Sequence, residues 1–235
     1  CVFKPVDILH TPCEEITLPV EPTCDQLLIH LQPGDTTTFV DRSPNSAAVT
    51  HGAGHLIQDT QSLFNTTTPV IILDGSSNIY IHKRATAFAA DEDFTIEFHM
   101  WRSADRSPHE AIMGNDVDHL TVGNNNISTG AWIQHWRILY NWQSGEGFKF
   151  IHDQSNQALN SGNVTTGAYH HVAIVRRNNT LSMYVDGLLK DTQANVSKSM
   201  TAFYDENDMV QCGGFATSYN GSLGAVQDLR ISNTA

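Results

Sequence analysis

A chain of 235 residues, 40% of them apolar, is long enough to bury a core of its own, which excludes a disordered polypeptide. Charged residues make up only 16%, against roughly 25% in ordinary soluble proteins, while Asn, Ser and Thr approach a quarter of the chain, a mix that suits a β protein with a neutral polar surface. Thirteen Lys and Arg face 25 Asp and Glu, a formal charge of −12 that the pairs Lys83-Arg84 and Arg176-Arg177 do not offset locally, so binding to nucleic acid through phosphate neutralisation is disfavoured. No apolar run approaches the roughly 18 residues that span a bilayer, and the first residues lack the charged-then-apolar layout of a secretory signal; the expectation is a soluble chain without membrane insertion.

Residues 1–25 hold Pro5, Pro12, Pro19 and Pro22, half of the 8 prolines, between short apolar pairs. Proline fixes φ and disfavours helix at the residue before it, so this stretch reads as an extended arm or tether. Cys1, Cys13 and Cys24 lie in the arm and Cys212 near the other end. A disulfide within the arm, one from the arm to Cys212, and free thiols all remain open. The cysteine spacings are too wide for a C-x2-C zinc site.

From residue 26 onward the apolar residues alternate or run continuously between turn clusters, and no long window carries a helical period. Strands are predicted at 26–31, 37–41, 69–74, 78–83, 93–101, 136–142, 147–153, 169–177, 180–187, 209–215 and 224–232. Asn178-Asn179 and Asp186-Gly187 are turn dipeptides at which a positive φ is cheap. In DFTIEFHMW (93–101) alternation puts Phe94, Ile96, Phe98 and Met100 on a core face and Thr95, Glu97, His99 and Trp101 on a wetter one. Val172, Ile174, Leu181, Met183, Val185 and Ile231 complete the predicted core. So many strands exceed an immunoglobulin-type unit and fit one large jelly-roll sandwich of two antiparallel sheets over 26–235.

N-x-S/T sequons at Asn65, Asn126, Asn163, Asn178, Asn195 and Asn220 are the support for a secreted, extracellular adhesion module; in a chain this rich in Ser and Thr, chance accounts for most of them. Trp132, Trp136, Tyr140 and Trp142, with Asn124 and Asn125 just before, are candidate ligand-binding residues, because an aromatic ring stacks on the apolar face of a pyranose while amides bond its hydroxyls. Alternation sets Trp136, Ile138 and Tyr140 on one face, which leaves core packing equally open for Trp136. His109, Glu110, Asp116, Asp118 and His119 share what reads as one long loop after the central strand, a composition seen in metal sites and in solvated loops alike.

The order DFTIEFHMW, YHHVAIVRRNNTLSMYVDGLL and GGFATSYNGSLGAVQDLRIS resembles the concanavalin A-like lectin/glucanase superfamily in its laminin G-like branch, over about residues 26–232. LLIHLQPGDTTTFVDRSPNSAAVTHGAG followed by IILDGSSNIYI is similar to the opening of such modules in bacteriophage tail fibres and other virion proteins. Tyr169 stands where the family's hairpin strand usually has Trp. The resemblance implies a virion surface protein, in a tail, fibre or capsid decoration, whose arm contacts other virion proteins and which binds host-surface glycan. It also implies a structural Ca²⁺ tying the early D-x-S-x-N loop to the last strand, here through Asp41, Asn45 and Asp228. Enzymes on this fold need constellations that are missing: the glycosidase triplet E-x-D-x-E meets Thr95, Glu97 and His99, and the lyase Q-x-H meets Gln134-His135 at the wrong spacing. The expectation is a non-enzymatic protein, the alternatives being a polysaccharide lyase or depolymerase on the same fold and the extracellular adhesion module.

Overall fold

The computed structural model describes residues 27–33, 39–44, 46, 48–51, 57–58, 70–74, 78–82, 88, 92–102, 110–114, 136–140, 147–152, 158–196, 209–213, 220–221 and 223–235. The expected arm lies outside them, and so do Cys1, Cys13 and Cys24. The described elements are all strands: β1 (Leu27–Pro33), β2 (Phe39–Asp41), β3 (Ala48–His51), β4 (Ile57–Gln58), β5 (Val70–Asp74), β6 (Asn78–His82), β7 (Phe94–Arg102), β8 (Glu110–Gly114), β9 (Trp136–Tyr140), β10 (Phe148–His152), β11 (Ala158–Asn160), β12 (Tyr169–Arg177), β13 (Thr180–Val185), β14 (Leu188–Gln193), β15 (Met209–Gly213), β16 (Asn220–Gly221) and β17 (Leu223–Ser232).

They form two sheets. The larger has nine strands along the path β14-β13-β12-β7-β17-β1-β2, with β5 also on β17 and β4 on β5; the smaller has eight along β11-β10-β9-β8-β15-β6-β3, with β16 on β8. All pairings are antiparallel except the two-residue β16–β8 contact. The molecule is thus the expected jelly-roll sandwich, with Phe94, Ile96, Phe98, Met100, Val172, Ile174, Leu181, Met183, Val185 and Ile231 all buried between the sheets. Each such side chain contributes about 1.5–3 kcal/mol by leaving water. Aromatic pairs knit the layers: Phe98 meets Phe148 edge-on across the sandwich at 6.3 Å, and Phe88 stacks on Phe94 at 4.1 Å.

Both expected turns form. Asn178 and Asn179 (φ 50° and 61°) and Asp186 and Gly187 (φ 52° and 74°) carry the left-handed backbone that two-residue hairpins require, which sets Val172 opposite Val185 and Ile174 opposite Met183. Some strands were not legible in the pattern. β3, β8, β11 and β14 are short or lie at a sheet edge, and β8 overturns the reading of Glu110 as part of a loop: it is fully buried in a strand.

β17 organises the larger sheet. One edge pairs with β7; on the other, Leu223–Val226 pair with β5 and Leu229–Ser232 with β1. The change of neighbour falls at an irregularity between Gln227 and Arg230, where Asp228 adopts φ 54°. Such a bulge re-aims a side chain, and here it brings the Asp228 carboxylate to His30 of β1.

Candidate functional site

The outward face of the larger sheet carries a row of side chains set by cross-strand register. Leu189 (β14) lies beside Tyr184 (β13), Tyr184 beside Ala173 (β12), Ala173 beside Glu97 (β7), Glu97 beside Arg230 (β17) and Arg230 beside His30 (β1). The row runs from an exposed apolar end to a charged end. One register step along, His171 lies beside His99 and His99 beside Gln227; the two imidazole rings sit 4.8 Å apart.

Hydrogen bonds fix the charged end. His171 Nε2 donates to Glu97 Oε2 at 3.2 Å, His30 Nε2 to Asp228 Oδ1 at 2.8 Å, and Arg230 Nη2 lies 2.9 Å from Asp228 Oδ2. The hydrogen bond from His171 holds the Glu97 carboxyl below its usual range against the opposing effect of burial, helped by the charges of His171 and Arg230. Burial pushes Asp228 upward, but His30 and Arg230 outweigh it and bring its pKa to about 2. Burial and the neighbouring His171 lower His99, so its ring is neutral at pH 7. Burial alone raises Tyr169, at the flank of the face, to about 12. The two carboxylates on this face are therefore ionised at neutral pH, and neither supplies the protonated acid that glycoside cleavage needs.

Of the residues singled out in the sequence, Asn124, Asn125, Trp132 and Trp142 lie outside the described residues. Trp136 and Tyr140 correct the ligand-binding reading. Both point into the core, at 0% and 3% exposure, because the face they share with Ile138, Phe148 and Phe150 is the one turned toward the larger sheet, where Phe148 meets Phe98. Tyr140 is further engaged, with its hydroxyl donating to the Val164 carbonyl at 2.9 Å and the Arg102 guanidinium 3.5 Å above its ring.

The calcium expectation meets a donor set that does not fit it. Asp41 Oδ1 accepts the backbone N–H groups of His30 and Ser43, and Oδ2 accepts the Ser43 hydroxyl, as an Asx turn does. Asp228 faces the Arg230 cation, and Asn45 lies outside the described residues. His30 joins Asp41 to Asp228 by its backbone and its ring, making the tie between loop and last strand without an ion. Among the described residues no group of three or more His, Cys, Asp or Glu is placed to hold a metal. Alternation in β7 already set Glu97 and His99 outward; that Tyr184, His171, Arg230 and His30 share this face follows from the pairing of β13, β12, β7, β17 and β1, which no local pattern reveals.

The two twisted antiparallel sheets and the hairpin of β12 and β13 define a lectin-like sandwich. Residues 73–235 match the laminin G family of the Concanavalin A-like lectin/glucanases superfamily, and the chain belongs to that superfamily. No curated protein matches in sequence. Among solved structures the chain is similar to the binding domain of Paraclostridial Mosquitocidal Protein 1 (16% identity, TM-score 0.61, covering 90% of this chain and 50% of that one). It is similar also to the receptor binding domain of botulinum neurotoxin C/D mosaic serotype (16% identity, TM-score 0.62, 90% and 49%). A third is the binding domain of Botulinum Neurotoxin DC in complex with SialylT (17% identity, TM-score 0.58, 90% and 48%). The chain spans about half the length of these structures, and at such identity the likeness is one of fold.

Proposed function

We propose that the protein is a non-enzymatic surface component of a bacteriophage virion that docks on the particle through residues 1–25 and binds host-surface glycan. The observation that carries the binding half is the outward row from Leu189 and Tyr184 to Glu97 and Arg230, an apolar and aromatic end beside hydrogen-bonding groups, which is the chemistry a sugar presents in return. A structure of similar fold is solved in complex with SialylT, which supports ligand binding on this scaffold. The ionised state of Glu97 and Asp228 supports binding without cleavage. The virion half rests on the resemblance of the early segment to phage modules and on the proline spacing of residues 1–25. A glycan array with the full chain tests the first half, and particle reconstitution with and without residues 1–25 tests the second. Absence of any glycan signal removes the adhesive role; unchanged incorporation of the shortened chain removes the tether.

A further inference from the structure

We propose that the outer edge of β14, at Leu188–Lys190, receives residues 14–20 of a second copy of this chain as an extended segment lying beside it. This rests on the reading of residues 1–25 as a docking arm and adds a surface on which they dock. Strand β14 ends the larger sheet, and no described strand pairs with its outer edge. Leu188 and Leu189, at 63% and 55%, are the most exposed large apolar side chains among the described residues. They follow the two-residue turn Asp186-Gly187, so Val185 and Leu188 form the hydrogen-bonded pair of the hairpin, and Tyr184 and Leu189 the next, non-hydrogen-bonded one. The Leu189 N–H and C=O therefore point away from β13, and the pleat puts one leucine on each face of the sheet. Farther along, the edge closes. Lys190 is bulged out of register, Asp191 Oδ1 accepts the N–H of Thr192, and Oδ2 accepts that of Asn160 on β11.

What stays open is one backbone donor and acceptor, a leucine on either face and the exposed Lys190 cation. That set fits a short segment that is acidic at one end and apolar after it. Glu14-Glu15-Ile16-Thr17-Leu18-Pro19-Val20 has this layout: two carboxylates to face Lys190, then Ile16, Leu18 and Val20 alternating onto one face. Leu18 beside Leu189 leaves the Pro19 ring to the face of Leu188, and proline, lacking an N–H, suits a segment whose own outer side has no strand to pair with. Chain length makes the donor another copy. From Val20 to Leu27, where β1 begins, the backbone reaches at most about 25 Å. β1 stands five strands from β14, so a position outside β14 is six strand spacings away, about 29 Å. The segment lies outside β14, so Tyr184, Glu97 and Arg230 stay open to a ligand.

The test uses the full chain at high concentration, as an equal mixture of unlabelled and isotope-labelled protein, with a carbodiimide that joins a carboxylate to an amine only where the two touch. The expected product is a peptide linking Lys190 to Glu14 or Glu15, with mixed-isotope pairs that only two different copies can give. Sedimentation supplies a second readout. Leu189→Ser and Lys190→Glu should each weaken self-association roughly tenfold with unchanged circular dichroism, and adding Glu14→Lys and Glu15→Lys to the Lys190→Glu chain should restore it. Cross-links of a single isotope alone would overturn the second copy as donor. Absence of the Lys190 product, together with variants that associate like the parent, would overturn the docking surface, while loss of particle incorporation on removing residues 1–25 would still uphold the arm as a tether. A shortened chain that joins the particle as well as the whole one removes the tether, and a chain that is also monomeric at every concentration removes the inference with it.

Discussion

Arg102 and Glu110 join the two sheets through a buried ion pair: the Arg102 Nη2 on β7 lies 2.6 Å from each carboxylate oxygen of Glu110 on β8, and the side chains are 3% and 0% exposed. The guanidinium rests on the Tyr140 ring from the same sheet as Glu110. Charges withdrawn this far from water depend on each other. Arg102→Met should cost about 3–5 kcal/mol by removing the countercharge of a buried carboxylate, whereas the double variant Arg102→Met with Glu110→Leu should recover most of that. Urea denaturation of the two variants checks it; a double variant as unstable as the single one would show that the pair itself, not the stranded charge, holds the sheets.

The Asp228 carboxyl, at about 2 in the folded chain, has a lower pKa than its ordinary 3.8. A group depressed on folding stabilises above its unfolded value, and that stability is lost as the pH falls from about 4 through about 2. Allowing for solvent screening of this partly buried carboxylate, Asp228→Asn should remove on the order of 1 kcal/mol at pH 7 and much less at pH 2. Parallel melting curves at the two pH values decide it, and an equal loss at both would point to packing instead of charge.

His99 is lowered by burial and by His171 beside it. Its contribution is present above pH 6.5, its ordinary value, and is lost as acid forces a proton onto the ring. His99→Gln should therefore show a shallower fall in melting temperature than the parent between pH 7 and pH 5. Glu97, Asp228 and Arg230 also face this ring, so the comparison is made between variants at one ionic strength. Identical slopes would remove His99 as the acid-sensitive group.

At the hairpin between β12 and β13, Asn179 sits at φ 61°. Asn179→Ala should cost about 1 kcal/mol, since a Cβ disfavours the left-handed region and alanine lacks asparagine's tolerance of it, while Asn179→Gly should lie within about 0.5 kcal/mol of the parent. Thermal unfolding of both variants gives the answer. A glycine variant as damaged as the alanine one would mean that the asparagine side chain, not the backbone angle, is what the turn needs.

Gly224 approaches the Trp101 backbone so closely that a Cβ would collide with its carbonyl oxygen. Gly224→Ala should separate β17 from β7 locally and lower stability by about 1–3 kcal/mol. Hydrogen exchange at amides of β17 and β7 locates the effect; unaltered protection in these strands would contradict the close approach.

Period-two alternation in 93–101 was enough to divide Phe94, Ile96, Phe98 and Met100 from Glu97 and His99, and the Asn-Asn and Asp-Gly dipeptides set both hairpin turns, because these features depend on a strand's own pleat and on local backbone sterics. Alternation alone could not tell that the face of Trp136 and Tyr140 looks inward, since an aromatic stripe reads the same on either side of a sheet. It could not place Glu110 in a buried strand either, because the cation that makes its burial tolerable sits on the other sheet. The bulge at Asp228 decides the rest: it swings one carboxylate to His30, nearly two hundred residues earlier in the chain, and fills with a histidine and an arginine the place where an ion was expected. Strand identity and turns were local properties of the sequence, whereas the gathering of Tyr184, Ala173, Glu97 and Arg230 into one row was decided by the order and register in which distant strands pair.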